Sequence, residues 1–205
     1  MNFLTPALLA NGVIALLCTL LLAAVWTDVR SHRIPNRLVF AGAALGLVFN
    51  GVLPEGFGFV SILPGALGFW PAMAGLGLGT VLTLPMYMAG AMGAGDVKLV
   101  AMVGAFLGPY ALLASALLIF IAGGVLAATT ALGKGNLNLL LGNVRYMVMS
   151  VVFKTLMHEI PKLDAAPVSA GKMPYAIAVA AGTISYVVLA SNRYLDFFRF
   201  IYPNI

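Results

Sequence analysis

Six acidic side chains occur in this 205-residue chain, and two of them stand where an acid is costly. Asp28 closes a run, residues 6–27, that carries no charge. Asp96 lies in Gly93-Ala94-Gly95-Asp96-Val97-Lys98, with the charge-free stretch 99–133 behind it. A charged side chain at the bilayer centre costs roughly 2.5–3.5 kcal/mol on insertion scales, so an acid kept there is a functional candidate. Two carboxyl groups close together have a definite chemistry. They cannot both ionise easily, so one holds a proton while the other is charged. The charged member can take a proton from water as it attacks a peptide carbonyl, and the protonated member can donate to the carbonyl oxygen. The roles then reverse toward the leaving amine. Acid and base are not assigned between Asp28 and Asp96, and this chemistry calls for no metal and no cofactor.

Other hydrolytic chemistries fit the residues poorly. His158-Glu159-Ile160-Pro161-Lys162 is not the HExxH of a zinc protease, and no serine sits in a glycine-flanked elbow. The single cysteine, Cys18, permits neither an intramolecular disulfide nor a CxxC metal site. His32 and His158 have no evident nucleophile beside them and read as surface residues near lipid headgroups.

The elements that must position the acids follow from composition. The chain is 62% hydrophobic and only 8% charged, far from the quarter charged of soluble domains, so it reads as a polytopic membrane protein. The expected fold is all-α, a single 1–205 membrane helix bundle of about six spans, at roughly 20 residues each. The spans fall at 6–27, about 37–53, 66–89, 96–107, 110–132 and 173–191. Gly108-Pro109 supplies the break between the fourth and fifth. The fourth is barely long enough to cross, which implies local thinning or a helix that starts within the membrane. Pro35 stops the first polar loop and Asn36 is placed to cap the second helix. Gly75, Gly77 and Gly79 give the third span a close-packing surface. Residues 136–158 have the pattern of an amphipathic helix on the cytoplasmic surface.

Charge placement sets the orientation. No cation precedes the first apolar run, so it reads as an anchored span and not a cleaved leader. With the N-terminus outside, every Lys and Arg except Arg193 and Arg199 falls on the cytoplasmic side. Asp28 and Asp96 then share that face, each at a helix end. The basic residues sit in loops between apolar runs, the pattern expected of a bilayer partner and not of nucleic-acid binding.

Asp28 opening a basic loop that ends Ile34-Pro35-Asn36, together with Gly93-Ala94-Gly95-Asp96-Val97-Lys98, resembles the type IV prepilin peptidase family. These are intramembrane aspartic proteases with a GxGD motif, which presenilin-type proteases share. Lys172-Met173-Pro174-Tyr175 before Ala181-Gly182 is similar to the family's last span, although Ala176 stands where a glycine is common. The resemblance implies Asp28 and Asp96 as the catalytic pair. It implies removal of a short basic leader from a prepilin or pseudopilin at the cytoplasmic face of the inner membrane. The chain lacks the cytoplasmic insertion of the methyltransferase-bearing members. In that it is more like the short Tad/Flp-pilus (CpaA/TadV-like) type or the archaeal preflagellin peptidases.

Around the pair, Gly93 and Gly95 serve backbone geometry, and Lys98 can support Asp96 electrostatically or snorkel to headgroups. Two other classes compete. A small proton- or cation-coupled transporter or channel would use the acids as carriers and need further polar groups along a path, for which only Thr80, Thr83 and Ser115 stand out. A non-catalytic scaffold for pilus assembly would tolerate loss of either aspartate.

Overall fold

The computed structural model describes residues 6–53, 67–88, 92–133, 135, 138, 141–142, 145–146, 149 and 173–191. Among them the chain is all-helical. The elements are α1 (Pro6–Ser31), α2 (Asn36–Val52), α3 (Phe69–Met88), α4 (Ala94–Gly133) and α5 (Ala176–Ser191). Three helices are long and apolar enough to cross a membrane: α1 over Asn11–Ser31, α3 and α4. The others, α2 and α5, are shorter apolar helices.

The 40 residues of α4 do not run straight. Gly108 has φ 72° and ψ 177°, a backbone open to glycine, and Pro109 follows it. A Cβ built on Gly104 would lie 2.9 Å from Leu112 Cδ2. Residues eight apart in a straight helix are separated by about 12 Å, so the second limb (109–133) turns back along the first (94–107). Gly108-Pro109 therefore divides the stretch where the sequence expected two spans to part.

Pro109 has no N–H, which leaves the carbonyl of Ala105 without its helical donor. Asn50 supplies one. Its Nδ2 donates to Ala105 O at 2.9 Å, to Phe106 O at 3.2 Å and to Gly46 O at 3.1 Å, while its Oδ1 accepts from Leu67 N–H at 3.2 Å. This buried amide joins α2, the approach to α3 and the turn of α4.

Neighbouring limbs alternate in direction. Leu20 of α1 meets Gly42 of α2, and both helices come together again where α1 ends and α2 begins. Gly75 and Gly79 of α3 face Gly104 and Val100 of the first limb, backbone against backbone, so these two run antiparallel. Gly77 has no atom within 4 Å of its would-be Cβ and lies off that seam. The second limb and α5 pair by a descending ladder: Ser115 with Thr183, Ile119 with Gly182, Gly123 with Tyr175, Thr130 with Met173. The first limb is the hub, with residues 99–108 all buried. Leu17, Leu21, Val39, Leu112, Ile119 and Val179 pack with it in one core. Outward faces carry Leu22, Trp26, Val48, Trp70, Val81, Leu117, Ile121 and Val188, an apolar exterior suited to lipid.

Of the surface helix expected over 136–158, Asn138, Leu141, Gly142, Arg145, Tyr146 and Met149 are described, and they are helical and exposed. The rest of it, the 54–64 connector, the 159–172 loop and the tail from 192 lie outside the described residues.

Candidate active site

Asp28 stands one turn before the end of α1. Its carbonyl accepts His32 N–H at 2.7 Å, and His32 is the residue that leaves the helix, with φ 50°. This is a left-handed helix stop built on histidine in the place glycine usually takes. The carboxyl of Asp28 is buried, 7% exposed, and its Oδ2 accepts the backbone N–H of Ala176 at 3.1 Å. Ala176 opens α5, and the first N–H groups of a helix have no partner within it. An acid there is also favoured by the positive end of the helix. The end of α1 is thus fastened to the start of α5.

Asp96 is in the first turn of α4. Gly93 O accepts Asp96 N–H at 3.1 Å and Val97 N–H at 3.2 Å, and Gly93 N–H donates back to Asp96 Oδ2 at 3.1 Å. The Asp96 carboxyl thus makes one half of a capping box, reaching from the third helical position back to the N–H of Gly93, which has no side chain to complete the other half. Asp96 is 8% exposed, and its second oxygen, Oδ1, is buried without a hydrogen-bond partner. One oxygen is hydrogen-bonded within the helix start; the other is not.

Both acids line a single open cavity of about 430 Å³ with His32, Arg33, Ile34, Pro35, Asn36, Gly93, Ala94, Gly95 and Lys98. Asp28 is close enough for its charge to act on Asp96, and the phenol of Tyr175 feels that of Asp96. Neither Gly93 nor Gly95 has positive φ. What they provide is proximity: a Cβ on Gly95 would lie 3.2 Å from Ile34 Cβ, and one on Gly93 would lie 3.1 Å from Asp96 Oδ2. Gly95 lets the α1–α2 loop lie against the first turn of α4.

One expectation about the neighbours needs correcting. Asn36 does not cap α2. Pro35 holds the cap position, with φ −62° and ψ 128°, and no side chain caps the helix. Pro35 fixes an extended backbone just before the helix, so the helix begins one residue earlier than expected. The amide of Asn36 is used otherwise: its Oδ1 accepts Lys98 Nζ at 2.9 Å. Lys98 in turn lies over the ring of Phe40, 5.4 Å from its centre, so its ammonium is held by α2.

Asn50 and Tyr175 are structural partners that sequence reasoning did not single out. A lone Asn near a helix end carries no periodic signal. Tyr175 stood only within a motif, and its position against Gly123 is a tertiary fact. The hydroxyls that a transport path would need are occupied within the bundle. Thr80 bonds Leu76 O at 3.0 Å, Thr83 bonds Gly79 O at 2.7 Å, and Ser115 bonds Thr183 at 3.4 Å.

No curated protein and no solved structure matches the chain. A model of the type IV leader peptidase family matches residues 15–128, more than half of the length, from α1 through most of α4. The matched stretch contains both cavity acids and the hub that follows Asp96. A membrane protein and a peptidase by this kinship, the chain belongs to the type IV leader peptidase family.

Proposed function

We propose that this protein is a membrane-embedded aspartic endopeptidase that removes the short basic leader from type IV, Flp-like prepilins at the cytoplasmic face of the inner membrane. Asp28 and Asp96 are its catalytic pair. The observation that carries the reading is their convergence: two buried carboxyls, from helices far apart in sequence, line one open cavity. The alternating limbs agree with six spans, the N-terminus outside and the cavity on the cytoplasmic side, where the basic loop 30–37 belongs.

In the reaction, the charged carboxyl takes a proton from water and the water oxygen bonds to the scissile carbonyl carbon. The other carboxyl gives its proton to the carbonyl oxygen. When the tetrahedral carbon collapses, the C–N bond breaks, the carboxyl that took the proton from water gives it to the leaving nitrogen, and the other carboxylate takes a proton from a hydroxyl of the tetrahedral carbon, so the dyad regains its starting state. Asp28 is steadied for this by the N–H of Ala176, and Asp96 by Gly93 through one oxygen, while its buried Oδ1 makes no hydrogen bond within the bundle. Because one carboxyl must be charged and one protonated, activity should fall on both sides of a pH optimum that belongs to the pair.

The test is cleavage of a co-expressed Flp-type prepilin by the wild type, Asp28→Asn and Asp96→Asn, followed by immunoblot. Both variants should accumulate in the membrane and lose roughly 10²–10⁴-fold or more of the rate. Retained cleavage in either removes that residue from catalysis. Intact substrate with all three forms, across several prepilin types, would count against the peptidase reading.

A further inference from the structure

Lys98 lies two residues beyond Asp96 and lines the cavity, yet its ammonium is engaged elsewhere. It donates to Asn36 Oδ1 at 2.9 Å and stands over the ring of Phe40. Both partners belong to the first turns of α2, which follow directly on the loop leading out of Asp28. The same loop has a second fastening one turn back along α4, where Ile34 packs on Gly95. Beside these points His32, Arg33 and Pro35 are exposed. The loop is thus a strap over the cavity, sewn to α4 on either side of Asp96 in sequence, at residues 95 and 98.

We infer that Lys98 is a positioning residue, which through Asn36 ties the α1–α2 strap to α4 and so sets the spacing of Asp28 from Asp96. This rests on the catalytic reading of the two acids. The physical case is one of leverage. Asp28 comes from the end of α1 and Asp96 from the start of α4, helices that otherwise touch little at this end. Their separation depends on what joins them. A hydrogen bond from an ammonium is stronger than a neutral one, and the ring of Phe40 adds a further attraction for the same cation. Displacing reacting groups by about 1 Å can cost on the order of 10²-fold in rate, so a tether at this place is felt in turnover.

The experiment compares Lys98→Met, Asn36→Ala, the double variant and Asn36→Asp with the wild type and with Asp96→Asn. Cleavage of a Flp-type prepilin is measured in membranes as a function of pH. Trypsin nicking of the Arg33–Ile34 bond is measured on detergent-solubilised protein and needs no substrate. If the tether positions the pair, each single variant loses about ten- to a hundredfold of turnover. The double variant then loses no more than either single one, since both break the same bond. Asn36→Asp, which keeps an acceptor for the ammonium, recovers most of the rate. The pH optimum stays in place, and nicking after Arg33 accelerates severalfold in Lys98→Met and Asn36→Ala as the loop comes free.

Unchanged nicking overturns the tether. Faster nicking with wild-type turnover overturns its role in positioning. A shifted pH optimum in Lys98→Met, with full activity in Asn36→Ala, overturns it in favour of Lys98 acting on Asp96 by charge. If the wild type cleaves no prepilin, the dyad reading fails and the positioning role fails with it, while the nicking rates report separately on whether the strap is fastened.

Discussion

At the scale of single residues, His32 bears a cost for the turn that ends α1. Its φ of 50° lies in the left-handed region, which costs an ordinary residue roughly 1–2 kcal/mol and glycine almost nothing. Its N–H bond to Asp28 O shows why the cost is met, since this turn sends the chain across the cavity. His32→Gly should therefore hold or raise stability, by up to about 1 kcal/mol, whereas His32→Val should lose about 2 kcal/mol. Thermal unfolding in detergent would rank the two on opposite sides of the wild type. Asp28 and Asp96 were legible in the sequence because an acid amid apolar residues stands out whatever the fold. Asn36 was legible only as a polar residue near a helix start. Whether its amide turned to its own helix or to Lys98 depended on a contact 62 residues away, which no local pattern carries.

Among the helices, the seam between α3 and α4 separates glycines that look alike in sequence. Gly75 and Gly79 press on the backbone of the first limb, and Gly77 between them faces open space. Gly75→Ala would put a methyl group onto Gly104 O and the Gly108 backbone, so it should cost about 1–3 kcal/mol as an overpacked contact. Gly77→Ala should be neutral or stabilising, by up to about 1 kcal/mol, because alanine holds a helix better. Denaturation in mixed detergent would tell the two apart. The turn of α4 invites a third substitution. Asn50→Leu keeps the bulk of the side chain but strips the Ala105 carbonyl of its donor, at about 1–3 kcal/mol by the same assay. The break itself could be read from Gly108-Pro109, since both residues act through local backbone sterics. The amide that stabilises the break could not, because its need arises only once α2 lies beside it.

Taken whole, the five helices α1 to α5, with α4 in two limbs, run alternately toward and away from one end, and that end holds both acids. The first limb of α4 lies at the centre with protein on all sides from residue 99 to 108. Its 14 residues span only about 21 Å, against a hydrocarbon core of about 30 Å. That fact bears on how the protein is made. A segment so short, bearing Asp96 and Lys98 and offering little surface to lipid, should not enter a bilayer unaided as it leaves the ribosome. It is expected to enter together with the returning limb, as a hairpin against α1 to α3. A chain halted after Gly108, with Cys18→Ser and a reporter cysteine in place of Met102, should react with a membrane-impermeant maleimide; one continued past Gly133 should not. On that expectation residues 109–133 serve twice, once as a wall of the finished bundle and earlier as the escort that brings Asp96 to the membrane.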